Sequence, residues 1–288
     1  MAIIGAGRAG TAVGVLLERA GNRVVAASGG LSTQARIQRY LTRASFVPAV
    51  NAHEASRAAE VVLLSVPDDR IAAVCAELAA RDGFRPGQRV LHLSGSLGLD
   101  ALERAEKAGA EVLSLHPLQA FPDVDTGVAR LPGSGIAVTA RTETAMSFGD
   151  WLARQAGGRP FPLAEEVKPL YHAAAVFCSN YLVAVEGVAE RLFRRAGLDP
   201  SLPLFAPLAR AALDSALRSG PSHALTGPAA RGDAGTVARN IAALREHAPE
   251  ALEAYVALGR VTVELAEEAG RLSSEERRHV EEALSEWR

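Results

Sequence analysis

The chain opens on an apolar strand, Ala2–Ile4, which runs into Gly5-Ala6-Gly7-Arg8-Ala9-Gly10 and then into an amphipathic helical pattern reaching about Ala20. Strand, glycine turn and helix in that order constrain the fold more than any other feature of the sequence. In a G-x-G-x-x-G turn the first glycine permits the tight bend and the second lets the backbone approach a pyrophosphate. The third lets the helix pack closely on the strand, and the helix N-terminus presents unpaired N–H groups to phosphate. Gly5, Ala6, Gly7, Arg8, Ala9 and Gly10 are therefore candidate nucleotide-binding residues. The competing reading is a structural turn without a ligand.

The rest of the first half repeats the theme. Arg23–Ala27, Val61–Val66, Val90–Leu93, Val112–Leu115 and Ile136–Thr139 are apolar or β-rich runs of strand length, with helical patterns such as Ile71–Ala80 and Leu99–Ala108 between them. Continuous apolar strands alternating with helices predict a parallel sheet covered on both faces. The pattern changes near Phe161-Pro162. Beyond it Glu166–Ala196 reads as one long helix, followed by helical patterns at Pro203–Ser219, Ala234–His247 and Glu250–Ala269. Ser273 with Glu276 reads as a capping box opening a last helix. The 288 residues thus divide into an α/β Rossmann domain with a mostly parallel, doubly wound sheet, residues 1–163, and an all-α C-terminal domain, residues 164–288.

Composition narrows the chemistry. Lys plus Arg is 31 against 33 Asp plus Glu, a net charge of −2, so no basic surface invites nucleic acid and no polybasic cluster invites a membrane. No apolar run reads as a transmembrane span and no cleavable leader precedes the first strand, so the expected location is the cytoplasm. The two cysteines, Cys75 and Cys178, are too few and too far apart for a disulfide framework or a metal site, and no metal is expected.

Specificity for the nucleotide is read at the end of the second strand. An NAD-binding fold usually places Asp or Glu there for the ribose 2′-hydroxyl. This chain has Ser28, followed by Gly29-Gly30, Ser32, Thr33 and Arg36. Hydroxyls and a guanidinium suit a 2′-phosphate, which a carboxylate would repel, so NADP is expected in preference to NAD. Arg36 as a merely solvated helix residue is the alternative. Ser65-Val66-Pro67-Asp68-Asp69 should also face the nucleotide, because loops at the carboxyl ends of parallel strands do; Asp69 could instead cap a helix.

Two further loops at that edge carry polar groups. Ser94-Gly95-Ser96 offers hydroxyls and backbone N–H groups to an anionic substrate, or is an ordinary turn. His116, before Pro117-Leu118, suits a hydrogen bond to a carbonyl or carboxylate, or is a structural histidine. Lys168 is one of only two lysines; the other, Lys107, sits in a charged segment. It stands before Pro169 at the predicted start of the long helix, and His172, four residues on, shares its face. Ser179 falls near that face and Asn180 somewhat around from it. At a rise of ~1.5 Å per residue, Lys168 and Asn180 lie roughly 18 Å apart along the axis, so together they would line a cleft rather than grip one small molecule. The bland alternative pairs Lys168 with Glu165 or Glu166. Thr226 and Arg231 in the loop 223–233 could reach a carboxylate or phosphate, or Arg231-Gly232-Asp233 could close on itself.

With GAGRAG at Gly5–Gly10, SVPD at Ser65–Asp68, HLSGS at His92–Ser96, HPLQAF at His116–Phe121, KPLYHAAAVFCSN at Lys168–Asn180 and LTGPAARGD at Leu225–Asp233, the whole chain resembles the 6-phosphogluconate dehydrogenase-like superfamily. Within it, the likeness is to bacterial Rossmann-like proteins with a C-terminal domain of unknown function. The resemblance implies Lys168 as proton donor and orienting cation, with His116, His172 and Asn180 lining the active site. Hydroxyacid dehydrogenases of this superfamily carry Asn four residues after the lysine, where this chain has His172. The His-Pro pair is similar to that of prephenate dehydrogenases, and the layout to ketopantoate and pyrroline-carboxylate reductases. The resulting expectation is an NADP-dependent oxidoreductase acting on a small anionic carbonyl or imine substrate, such as a 2-oxo acid, and a homodimer joined through its C-terminal helices. A non-catalytic dinucleotide-sensing regulator is the alternative.

Overall fold

The structure is a computed structural model that describes residues 1–199 and 202–285. The chain forms two compact units, Met1–Ser179 and Asn180–Arg288.

In the first unit eight strands form one sheet: β1 Ala2–Ile4, β2 Ala26–Gly29, β3 Ser45–Pro48, β4 Val61–Leu64, β5 Arg89–His92, β6 Glu111–Pro117, β7 Gly135–Ala140 and β8 Arg159–Pro162. Their order is β3-β2-β1-β4-β5-β6-β7-β8. All neighbours are parallel except β6 and β7. The helices are α1 Arg8–Arg19, α2 Leu31–Tyr40, α3 Ala52–Ala58, α4 Asp68–Ala80, α5 Glu103–Lys107, α6 Val124–Arg130, α7 Glu143–Gln155 and α8 Lys168–Val176.

The pairing register explains why the central strands read as unbroken apolar runs. Ile3, Leu63, Leu91 and Leu113 are in register across β1, β4, β5 and β6, and all point into one core, which Leu16, Leu17, Val128 and Leu152 complete. Their neighbours Ala2, Val62, Val90 and Val112 are also in register and point to the opposite face, against Ile71, Leu78 and Leu102. With side chains alternating and both faces covered, every position must be apolar.

Several boundaries differ from the sequence reading. β2 begins and ends later than Arg23–Ala27, which brings Ser28 into the strand. β4 stops at Leu64, although the Ser65 N–H still donates to the Ile4 carbonyl at 2.8 Å. Leu99–Ala108 splits into a 3-10 turn, Leu99–Leu102, and the short α5. The edge strands β3 and β8 carried no sequence signal. In β8 the Arg159 N–H donates inward to Ser134 O and the Leu163 N–H just past it to Val138 O, each at 2.8 Å. Alternate N–H groups of a strand point to opposite sides, so the outward positions fall on Pro160 and Pro162, which have none.

Strands end at Pro162, beside the expected boundary at 163, but α8 still belongs to the first compact unit. The expected long helix is three successive helical segments: α8, a π turn at Phe177–Tyr181, and α9 Leu182–Arg195. Contrary to the expectation that no run is apolar enough, the stretch Glu165–Arg195 is long and apolar enough, by length and composition, to cross a membrane.

The second unit contains α9, α10 Leu202–Ser219, α11 Pro221–Ala224, α12 Ala234–His247, α13 Leu252–Glu268 and α14 Ser274–Ser285. Val237, Ile241, Leu252, Val256, Val263, Val280 and Leu284 form its core, with Val188 and Leu192 packed on it. The capping box is present: Ser273 N donates to Glu276 Oε2 at 2.8 Å and Glu276 N to Ser273 Oγ at 3.3 Å. Asp233 caps α12 by accepting from Thr236 N at 2.9 Å. Arg231 donates to the Thr226 carbonyl instead of closing on Asp233.

Candidate functional site

The glycine turn is built as its sequence requires, with a different cause at each glycine. Gly5 has φ +78°, and a Cβ there would lie 2.3 Å from Val66 Cγ1. A Cβ at Gly10 would lie 2.4 Å from Ser65 Oγ and 2.6 Å from Ser65 Cβ, so this glycine lets α1 close onto the end of β4. Gly7 differs: the nearest atom to a Cβ there is Ser65 O at 3.8 Å, ordinary contact. Packing does not demand glycine at position 7; it suits the N-cap of α1, and without a side chain it leaves the backbone open to close approach of a ligand.

The Ser28 carbonyl accepts the N–H of Gly5 at 2.9 Å and of Ala6 at 3.0 Å, pinning the turn to β2. The Ala6 carbonyl in turn accepts from Thr11 Oγ1 and Arg36 Nη1, both at 3.1 Å. Arg36 is thus held at the glycine turn, and its other guanidinium N–H groups have no partner among the described residues. Ser28 is buried, and the Thr33 side chain packs on Gly29. Arg8 reaches away to the Pro122 carbonyl at 2.8 Å. A cavity of about 620 Å³ opens beside Gly5, Ser28, Val50, His53, Val66 and Arg70, within the size range of ligand sites. Together these features fit a dinucleotide: a backbone open at Gly7, free helix N–H groups, and a cation in place of a carboxylate at the end of β2. A second cavity, of about 580 Å³, lies at the amino ends of the strands beside Val24, Val61 and Trp151, the edge that open α/β sheets do not use for ligands.

Farther along the carboxyl edge lies a polar cluster. Lys168 is fully buried, and its Nζ donates to Ser94 O at 3.1 Å and Ser114 Oγ at 2.7 Å. Burial lowers its pKa to about 8, opposed by Glu165 and Asp68. Ser94 Oγ donates to Asp68 Oδ2 at 2.5 Å and accepts from the N–H groups of Ser96 at 3.2 Å and Leu97 at 3.0 Å. His92, buried in β5, accepts the Ser94 N–H on Nδ1 at 3.1 Å and lies 3.3 Å from Gly98 O through Nε2. Burial, reinforced by Lys168, lowers its pKa to about 4. His116, at the end of β6, is likewise lowered to about 4 by burial and then by Lys168 and His172. Its Nδ1 lies 2.8 Å from the Tyr171 hydroxyl, and its ring centroid lies 5.9 Å from that of His172. A Cβ at Gly95 would fall 2.7 Å from both His116 Nε2 and His172 Cδ2. The two imidazoles therefore pack directly on Gly95, where any side chain would have no room.

The described residues contain no group of three or more His, Cys, Asp or Glu placed to hold a metal ion. The cluster is one of packed hydrogen-bonding groups with one buried cation among them.

Sequence comparison accounts for both parts of the chain. A Rossmann-like domain matches residues 1–117, and a domain of unknown function, DUF2520, matches residues 134–262. The chain thus carries a Rossmann-like domain and a DUF2520 domain. The DUF2520 match starts before β7, so it takes in the two strands that follow the antiparallel switch as well as the helices. No curated protein sequence matches the chain. Among solved structures, a candidate NADP oxidoreductase of Bacteroides fragilis superposes with a TM-score of 0.76 at 21% identity, covering 91% of this chain and 97% of that one. A Thermotoga maritima protein gives 0.71 at 23%, covering 94% and 99%. An imine reductase of Myxococcus stipitatus in complex with NADP+ gives 0.61 at 15%, covering 94% and 93%. At such identities the likeness is one of fold.

Against this Rossmann-like and DUF2520 frame, the predicted residues divide into two groups within the first unit. Gly5 to Gly10, Ser28, Thr33, Arg36, Ser65, Val66 and Pro67 gather at the glycine corner. Ser94, His116, Lys168 and His172 gather at the second cluster. Asn180 lies in the π turn, as the first residue of the second unit. Sequence reading overlooked Asp68, His92 and Tyr171 as members of the cluster. SVPD and HLSGS did contain Asp68 and His92, but a histidine inside a strand and an aspartate opening a helix have commoner structural uses. Tyr171, between Lys168 and His172 in a helical pattern, carried no signal of its own.

Proposed function

We propose that this chain is an NADP-dependent oxidoreductase acting on a small anionic carbonyl or imine substrate, with a 2-oxo acid as the first class to test. One observation carries the reading: the same carboxyl edge of one sheet holds a glycine turn left open at Gly7 and, beyond β4, an enclosed cluster of His116, His172 and the Ser94–Gly95 peptide backed by Lys168. Such folds place a dinucleotide at the first and its reacting end near the second.

Arg36 and Thr33 would hold the 2′-phosphate at the end of β2, with Ser28 setting the turn beneath it. The bound nucleotide supplies the hydride. The chain supplies donors. In this reading His172, whose ring edge packs beside Gly95, delivers a proton to a substrate oxygen or nitrogen. Lys168 is enclosed, so in this reading it acts from behind: its ammonium grips the Ser94 carbonyl, and because the peptide is trans its N–H, on Gly95, points away from the lysine. A cation on the carbonyl strengthens that N–H as a donor to an anionic oxygen.

The enclosure of Lys168 is also what favours the alternative of a dinucleotide-sensing regulator, which needs no lysine free to reach a substrate. Calorimetric titration with NADPH and NADH, followed by NADPH oxidation with a panel of 2-oxo acids and cyclic imines, separates the readings. Tight NADPH binding with turnover supports the enzyme. Tight NADPH binding without turnover supports the sensor, and no binding of either nucleotide sinks both.

The reading includes a homodimer through the C-terminal helices. In α10, Leu204, Leu208 and Leu217 are 65%, 70% and 78% exposed. By helical spacing Leu204 and Leu208 lie on the face opposite Leu213 and Leu217. A helix apolar on opposite faces is normally covered on both.

A further inference from the structure

Tyr171 stands three residues after Lys168 and one before His172, on the first turns of α8. Its hydroxyl meets His116 Nδ1 at 2.8 Å, with the two rings edge to face at a centroid separation of 5.4 Å and 89°. Phe161 of β8 packs against the tyrosine ring, also edge-on, at 6.1 Å. The phenol is thus clamped between β8 and the end of β6, half-buried, with its oxygen aimed at one nitrogen of one histidine.

Which partner donates follows from acidity and from what else is near. A phenol O–H is a stronger donor than the N–H of a neutral imidazole. In the reverse arrangement, with Nδ1–H donating to the phenol, the hydroxyl hydrogen would have no acceptor among the described residues, at the cost of an unmade hydrogen bond in a part-buried site. Burial raises the Tyr171 hydroxyl to about 12, so it keeps its proton. His116 stays neutral at physiological pH, with burial the main cause and Lys168 and His172 adding to it against Asp68. A neutral imidazole has a single N–H. With Nδ1 accepting, that hydrogen is on Nε2, the ring nitrogen that packs beside Gly95 and the His172 ring.

We propose that Tyr171 is a positioning residue that locks His116 in the Nε2–H tautomer, so that His116 presents a neutral hydrogen-bond donor, rather than a base, at the Gly95 corner. This rests on reading that corner as the substrate end of the site, and it restricts the substrate group bound there to an acceptor: a carbonyl or carboxylate oxygen, not a protonated amine. Tyr171 acts through His116 and need not touch the substrate.

The test reads the tautomer directly and needs no turnover. The full chain is labelled with 15N-histidine, and long-range 15N–1H correlation spectra are recorded near pH 7.5, with the His116 signals assigned by their loss in His116→Gln. The expected wild-type pattern is a bare, hydrogen-bonded Nδ1 and a protonated Nε2. In Tyr171→Phe the two nitrogens should move toward each other as the tautomers mix, and the midpoint of His116 protonation should rise, because a bond to the neutral form has been removed. A wild-type spectrum with the proton on Nδ1 overturns the proposal even if the variant fails to fold. An unchanged His116 pattern in a folded Tyr171→Phe overturns it as well. Neither result depends on nucleotide binding, so the tautomer can hold where the oxidoreductase reading fails, and the reverse.

Discussion

The contrast between Gly7 and Gly10 allows a sharp separation of folding from binding. In Gly10→Ala the new methyl would meet Ser65 Oγ at 2.4 Å and Ser65 Cβ at 2.6 Å. The hydroxyl can rotate away, but Cβ is fixed to the backbone at the end of β4, so α1 or the turn before α4 must shift. Overpacking of this kind costs about 1–3 kcal/mol, and the better helix propensity of alanine returns up to about 1 kcal/mol. The net loss should lower the melting temperature by roughly 2–8 °C for a domain of this size. In Gly7→Ala the methyl meets nothing closer than 3.8 Å, at an ordinary φ of −70°. Gly7 is the N-cap of α1, where glycine is favoured well over alanine, so the change costs about 0.5–1 kcal/mol and melting should fall by about 1–4 °C. Nucleotide affinity should respond in the opposite order. The Gly7 methyl occupies the approach to the turn and should weaken NADPH binding about 10- to 100-fold, the same 1–3 kcal/mol expressed as affinity. Gly10→Ala should bind NADPH nearly normally once folded. Thermal unfolding without nucleotide and calorimetric titration with NADPH read the two effects separately. If Gly7→Ala bound NADPH as tightly as wild type, the assignment of Gly7 to ligand approach would be wrong.

Arg36→Ala should weaken NADPH about tenfold or more while leaving NADH within about twofold, since a charged hydrogen bond to a 2′-phosphate is worth about 1.5–3 kcal/mol; equal losses for both nucleotides would place Arg36 in the turn alone. Lys168 loses its proton near pH 8 when folded and at a higher pH when unfolded. Between those values the unfolded chain binds more protons, so wild-type stability should rise with pH through that window, the gain being absent below about pH 8. Lys168→Met should lose that rise, and a urea midpoint still climbing as steeply from pH 8 to 10 would show that other groups cause it. Leu208→Glu with Leu217→Glu should convert a dimer to a monomer by light scattering at micromolar concentration; an unchanged mass would move any self-association away from α10.

What the sequence revealed tracks how strongly each element had to declare itself. The central strands are covered on both faces, so Val62, Leu63, Val90 and Leu91 admit only apolar residues and their pattern is plain. Ser45–Pro48 and Arg159–Pro162 lie at the sheet edges, have weaker packing demands and carry prolines, and so give no strand signal. The antiparallel pairing of β7 was hidden because strand direction depends on the path of the connection, not on composition. At the site, the rarity of Lys168 marked it, but only the coordinates show its ammonium sealed between Ser94 and Ser114. The partnership of Tyr171 with His116 joins residues 55 positions apart, and a single sequence has no means of displaying it.

The proline pair in β8 has a consequence for life at high protein concentration. A sheet edge ordinarily offers a row of N–H groups on which a strand from another molecule can crystallise, the first step toward domain exchange or fibril growth. Here the outermost strand turns all its remaining donors inward, to Ser134 and Val138. An incoming strand would find carbonyls but no matching hydrogens at positions 160 and 162. The last strand of the sheet acts as a chain terminator for β-polymerisation.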